Sequence, residues 1–458
     1  MTKRYLILFM LHFALLLFGC EDDNKAGNKA GNDGKDTNVD SDSGTGTDSM
    51  GPEFNAAHLQ NVELLRTLST TDIQGTFTLF KLVAPEVAQV VPQQPTSVSI
   101  YRMTYQTLYQ NSMVSASALV AIPENTTPVP VLAFQNGTNT VDADAPTVLA
   151  AAPLDVNNSS SMFMQILSAS ASMGYVIVVA DYLGFGASAQ LPHPYLCREI
   201  TISSLADTLR AVVELEDGVN AAEAGAASVS SFALSGDLYL LGYSQGAHST
   251  MALHEYLERT PDFPLVLRAT AAGAGPYDLM AINQYMLAQA NYPMPYLGPY
   301  TVLGFQSMGF IANDLSLFFT TPYAGLIPGL FDGIKDKDEI NASLTTSMGQ
   351  LFTASVQTAI SGDASTDPTA AALQATLIAN SIPPFVATTP IRLTHGTTDE
   401  YIPPSMTQAF QQALIAAGTP AASVTVVDIP DKDHEQAAPG AVVDAMIWFE
   451  TIKNGTVQ

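Results

Sequence analysis

Apolar residues along this chain gather in short continuous runs more than in strict alternation. Strand-like runs cover Ser97–Tyr105, Ser115–Ile122, Val129–Phe134, Tyr175–Ala180, Leu238–Tyr243, Val266–Ala272, Pro390–Thr394 and Ser423–Ile429. The later ones are continuous hydrophobic runs rather than alternating ones, the pattern of parallel strands buried on both faces. Between them, apolar positions recur at helical spacing over Met162–Met173, Ile200–Leu215, Ala247–Leu257, Met406–Ala417 and Ala441–Ile452. Strand–helix alternation of this kind predicts an α/β fold with a mostly parallel central sheet flanked by helices.

One interval breaks the rhythm. More than a hundred residues separate the strand ending near Gly275 from the one starting at Pro390. From Ala281 to Phe331 the only charged residue is Asp314, among many Tyr, Phe, Met, Leu, Pro and Gly. The interruptions by Pro, Gly, Gln and Asn rule out a bilayer span. The expectation is a large, mainly helical cap over 276–388, dividing a core of 53–275 and 389–458.

The N-terminus follows a different pattern. Lys3-Arg4 precede an apolar run from Tyr5 to Phe18 broken only by His12, then Gly19-Cys20. That is a secretory signal over 1–19. "LFGC" resembles the bacterial lipobox, which implies lipidation of Cys20 and an exported lipoprotein of the cell envelope or surface. Residues 20–52 then read as the lipidated cysteine and a disordered tether, rich in Asp, Asn, Gly, Ser and Thr with one valine and one methionine. Cys197 is the only other cysteine, so neither a disulfide framework nor a cysteine zinc cluster is expected.

Charge narrows the partners. The 458 residues include 17 Lys and Arg against 43 Asp and Glu, a net −26. That excludes nucleic acid, which needs cations for its phosphates, and electrostatic docking on anionic lipid. Membrane association is expected through the lipid anchor only.

The chemistry starts at "LYLLGYSQGAHST", Leu238 to Thr250. Gly-x-Ser-x-Gly between a buried strand and a helix is a nucleophile elbow, with Ser244 exposed on a strained turn. Gly242 and Gly246 let strand and helix pass closely. A serine of this kind needs a histidine base and an orienting acid, in chain order Ser, acid, His. Four histidines follow Ser244. His248 and His254 lie on the helix leaving the elbow, His395 ends a strand, and His434 follows the last strand on a loop. Only His434 comes after Asp399, which leaves Ser244, Asp399 and His434. Glu400 is the rival acid, one residue away; Asp431 and Asp433 are too near His434 in sequence. The oxyanion should meet the Gln245 N–H and an N–H from the loop after Val129–Phe134, that of Thr138 with Gly137 as the alternative.

"VVADYLGFGAS" with "HPYL" (within Val178–Leu196), "LLGYSQGAH", "AAGAGPYDL" and "HGTTDEYIPP" resemble the fungal secretory lipase family and its bacterial relatives among the α/β-hydrolases. The similarity runs from about Val98 to the C-terminus. It implies an α/β-hydrolase fold and a serine esterase or lipase with a helical cap over the acyl site, needing no metal or organic cofactor. Ser244, Asp399 and His434 match that family's triad positions. Asn136 departs from it, where many relatives carry histidine. A small-molecule or lipid ester with an apolar acyl or aromatic part is the expected substrate. The alternatives are a serine peptidase or a feruloyl- or polyester-type esterase of the same fold, or a surface-tethered binding protein without catalysis.

Overall fold

Adjacent residues of the central strands point to opposite sides of one sheet, and each side has its own apolar layer. The structure is a computed structural model that describes residues 58–125, 127–217, 229, 231–362 and 366–455. The expected signal segment, Cys20 and the tether lie outside the described residues.

Nine described strands pair in one sheet. They are β1 (Leu59–Leu68), β2 (Val98–Tyr109), β3 (Ser112–Pro123), β4 (Val129–Gln135), β5 (Val176–Ala180), β6 (Leu234–Tyr243), β7 (Val266–Gly273), β8 (Ile391–Gly396) and β9 (Val424–Ile429). Their spatial order is β1-β2-β3-β5-β4-β6-β7-β8-β9. Pairing is antiparallel from β1 to β5 and parallel from β5 through β4 to β9. The chain steps from β4 to β5 on one side and then to β6 on the other. The carboxyl ends of β4 and β6 therefore flank a topological switch point, where open α/β sheets bind their ligands.

Ten of the described helices complete the frame. They are α1 (Thr70–Val83), α2 (Pro146–Ala151), α3 (Ser159–Ala169), α4 (Arg198–Glu216), α5 (Gln245–Glu258), α6 (Leu279–Ala288), α7 (Leu297–Ser307), α8 (Pro368–Asn380), α9 (Pro404–Ala416) and α10 (His434–Lys453). Phe77 of α1, Ile166 of α3 and Phe449 of α10 pack with Leu119, Ile177 and Tyr239 on one face. Leu209 of α4 and Leu257 of α5 pack with Val120, Val178 and Leu240 on the other. Full burial of each such side chain contributes roughly 1.5–3 kcal/mol over exposure.

Helices α6 to α8, with shorter helical turns between α7 and α8, occupy the interval between β7 and β8. Their apolar residues do not form a separate core. Leu279, Met286, Phe305, Phe352 and Leu377 belong to the cluster that also holds Tyr105, Tyr195 and Leu240. No helix among the described residues is long and apolar enough to cross a membrane.

Two differences from the sequence reading bear on the site. The strand β1 and helix α1 come before the first expected strand, so the loop after Val129–Phe134 follows the fourth strand. And His434 is not on a loop: it opens α10, with Asp433 as the N-cap accepting from Gln436 N–H at 2.8 Å.

Candidate active site

Ser244 joins β6 to α5 with φ 58° and ψ −123°. A side chain in that region costs of order 1–3 kcal/mol and persists only where the surroundings hold it. Here its N–H donates to Gly273 O at 2.8 Å, and its carbonyl accepts from Ala247 N–H at 2.9 Å. The two glycines are needed for space. A β-carbon on Gly242 would run into Gly246 O and Thr250 Oγ1, and one on Gly246 into the carbonyls of Gln135 and Asn136. The elbow is thus pressed against the end of β4, the other half of the switch point.

His434 meets Ser244 from the first position of α10. Its Nε2 lies 2.9 Å from Ser244 Oγ, and its Nδ1 lies 2.7 Å from Asp399 Oδ2. Gly396 makes this approach possible, since a β-carbon there would meet Lys432 O and Ala437. Tyr243 OH donates to His434 O at 2.6 Å, and the ring of Tyr401 packs beside the imidazole at 5.0 Å between centroids.

Asp399 is buried, and its second oxygen accepts from the N–H groups of Tyr401 and Ile402, both at 2.9 Å. Burial alone would raise its pKa. The neighbouring imidazoles of His434 and His395 override that and hold it well below the ordinary carboxylate range. Glu400 is exposed, and its backbone carbonyl accepts from Tyr285 OH of α6 at 3.2 Å. The structure therefore brings Asp399 to the histidine and leaves Glu400 outside.

The remaining histidines after Ser244 have other partners. His248 Nε2 meets Asn380 O at 2.8 Å, and His254 Nδ1 meets Thr270 Oγ1 at 2.7 Å. His395 supports the acid: its Nε2 stands 3.1 Å from Asp399 Oδ2 and 2.8 Å from Ile402 O. Sequence reasoning assigned it no part. Its signal is its position four residues before Asp399, at the end of a buried strand.

Gln245 is the first residue of α5, where helical N–H groups lack an intrahelical acceptor and point outward with the positive end of the dipole. Thr138 lies in the loop after β4 and, with Asn136 and Gly137, lines a cavity of about 180 Å³ at Ser244 and His434. Its wall also includes Phe163 and Met164 of α3, Met286 of α6 and Val442 of α10. Gln245 and Thr138 each have a further side-chain partner. Gln245 Nε2 is 2.9 Å from His193 Nε2, and Thr138 Oγ1 is 2.9 Å from Tyr195 OH. Burial pushes His193 down to about 4, so its imidazole is neutral at ordinary pH.

No protein-family model matches the chain, and no curated protein matches it significantly. Solved structures do. A Legionella pneumophila protein provisionally described as a hydrolase superposes with a TM-score of 0.71, covering 88% of this chain and 100% of its own at 23% identity. The chain has the α/β-hydrolase fold. Within that fold, the rice cell wall degrading esterase LipA of Xanthomonas oryzae gives 0.67 at 21% identity, over 86% of this chain and 97% of its own. Candida antarctica lipase A gives 0.61 at 15% identity, over 88% and 84%. In this fold Ser244 follows β6, Asp399 follows β8 and His434 follows β9, the chain order expected of a serine, an acid and a histidine there.

Proposed function

We propose that this α/β-hydrolase cleaves carboxylic esters through an acyl-enzyme on Ser244. His434 Nε2 takes the serine proton as Oγ attacks the ester carbonyl. Asp399 keeps the proton on His434 Nδ1 and stabilises the imidazolium that forms. The backbone N–H groups of Gln245 and Thr138 stabilise the tetrahedral oxyanion, each such donor being worth roughly 3 kcal/mol. His434 then protonates the leaving alcohol. Water, deprotonated by His434, attacks the acyl carbon and releases the carboxylic acid and free serine.

What carries this reading is the relay of 2.9 Å and 2.7 Å from Ser244 through His434 to Asp399, opening on a cavity walled by Phe163, Met164, Met286 and Val442. That wall favours an apolar acyl or aromatic group. The LipA and Candida antarctica lipase A neighbours, an esterase and a lipase, agree with an ester as substrate. Hydrolysis of p-nitrophenyl esters of graded chain length tests it, with the matching anilide as comparison. Ester turnover that vanishes in Ser244→Ala is expected; anilide cleavage faster than ester cleavage would point to a peptidase instead.

Export and anchoring through Cys20 are part of the same proposal. Cys20→Ser should move the protein from the membrane fraction to the soluble one; an unchanged distribution would remove the anchor.

A further inference from the structure

His193 and Tyr195 take no part in the proton relay, yet each touches one of the two residues assigned to the oxyanion. His193 Nδ1 lies 2.6 Å from Leu183 O, which can only accept, so Nδ1 carries the proton. Nε2 is then an acceptor, and Gln245 Nε2 donates to it. Flipping that amide would set its oxygen against an unprotonated nitrogen. The Gln245 side chain therefore has one allowed orientation, although it leaves Oε1 buried without a hydrogen bond. Two residues on, Tyr195 OH bonds Thr138 Oγ1. One tripeptide thus holds the loop after β4 and the start of α5 at the same time.

The tripeptide is itself fixed. Tyr182, at the start of the loop that leads to it, and Leu196, directly after it, sit at φ 62° and 55°. Gly184 has φ 92°, and a β-carbon on it would fall 2.6 Å from the His193 backbone. The Tyr195 ring stacks on Tyr300 of α7 at 4.5 Å and 12°. Gly304 of the same helix is pressed against the Tyr195 backbone, where any β-carbon would collide.

We propose that His193 and Tyr195 are positioning residues that set the oxyanion hole, His193 through the Gln245 side chain and Tyr195 through the Thr138 hydroxyl. The proposal rests on Ser244 attacking an ester carbonyl. Donors stabilise an oxyanion only when aimed where its charge develops, and a displacement near 1 Å can cost about 100-fold in rate. Because the same tripeptide seats α7, docking of that helix and shaping of the hole are coupled.

Tyr195→Phe tests this, since it keeps the ring and its stack and removes only the hydroxyl. The expected result is a fall in kcat for p-nitrophenyl butyrate of about 10- to 100-fold, with KM and melting temperature nearly unchanged. Inhibition by an alkyl trifluoromethyl ketone, which forms a tetrahedral adduct on the serine, should weaken by a similar factor. Thr138→Val should lose as much, and the double variant no more than either single one. Gln245→Met keeps the backbone donor; it and His193→Phe should behave as a second such pair. Additive losses within a pair would overturn the proposal, as would wild-type kcat and ketone affinity in Tyr195→Phe and Gln245→Met. Turnover surviving in Ser244→Ala would instead defeat the underlying ester-hydrolase reading.

Discussion

Oδ2 of Asp399 stands 2.7 Å from Nδ1 of His434, the ring nitrogen other than the one that meets Ser244. Asp399→Asn would offer an amide where the proton on Nδ1 needs an acceptor, favouring the wrong tautomer. It is expected to lower kcat by about four orders of magnitude. Glu400→Gln, at an exposed neighbour, should leave kcat essentially unchanged. Steady-state kinetics on one p-nitrophenyl ester compares them; equal losses would contradict the assignment of the acid.

Gly246 has no room for a side chain. Gly246→Ala would push α5 away from the carbonyls of Gln135 and Asn136, at a cost of about 1–3 kcal/mol of stability. The same shift displaces Ser244 and the Gln245 amide, so kcat should fall as well. Chemical denaturation and kinetics together check this. A variant as stable and as active as the wild type would show that the elbow is not packed as described.

Most of the sheet was legible because buried parallel strands advertise themselves: β4, β5 and the second half of β6 are almost wholly apolar. β1 was not. It is an edge strand, pairing with β2 only, with register shifts between Leu59 and Asn61 and between Leu64 and Arg66. Each shift breaks the two-residue alternation a strand search relies on. The helix after it had a readable start. Ser69 and Asp72 form a reciprocal capping box, with Asp72 N–H donating to Ser69 Oγ at 3.2 Å and Ser69 N–H to Asp72 Oδ2 at 2.9 Å.

Chain order was enough to bring Ser244, Asp399 and His434 together as candidates, because strand order constrains which loops meet. It could not show that His434 opens a helix, since Pro439 and Gly440 obscure the start and an aspartate at 433 reads equally as a charged loop residue and as a cap. The contacts of His193 and Tyr195 were beyond reach for another reason. They depend on positive φ at Tyr182 and Leu196, which neither residue type signals.

Asp181 makes stability depend on pH. It is fully buried and accepts from Thr147 N–H at 2.8 Å, Thr147 Oγ1 at 2.6 Å and the Ser117 hydroxyl. Burial outweighs these donors and pushes its carboxyl up to about 6. A raised acid stays protonated in the folded chain while the unfolded chain ionises. Its contribution to stability therefore falls as pH rises from about 4 to about 6, by about 3 kcal/mol in all, and is flat above. Denaturation midpoints across this range, in the wild type and Asp181→Asn, should show the slope and its reduction. An identical slope in both would remove Asp181 as its source.

If the proposed ester sits in the cavity at Ser244, Phe163 is expected to limit how far its acyl chain can run. With Val442 it lines both the cavity at Ser244 and a second apolar cavity of about 20 Å³ behind, walled by Phe80, Val87 and Met446. Phe163→Ala should join the two and move the preferred p-nitrophenyl ester towards longer chains. A chain-length profile unmoved by the substitution would place the acyl group elsewhere.

Mass spectrometry reads a covalent acyl-enzyme on Ser244 directly. The protein is mixed with a p-nitrophenyl ester, quenched in acid within the first turnovers and digested. The peptide carrying Ser244 should bear the acyl mass, and Ser244→Ala should neither acquire it nor release p-nitrophenol above the uncatalysed rate. An acyl group on another residue, or undiminished release by Ser244→Ala, would show that Ser244 is not the nucleophile.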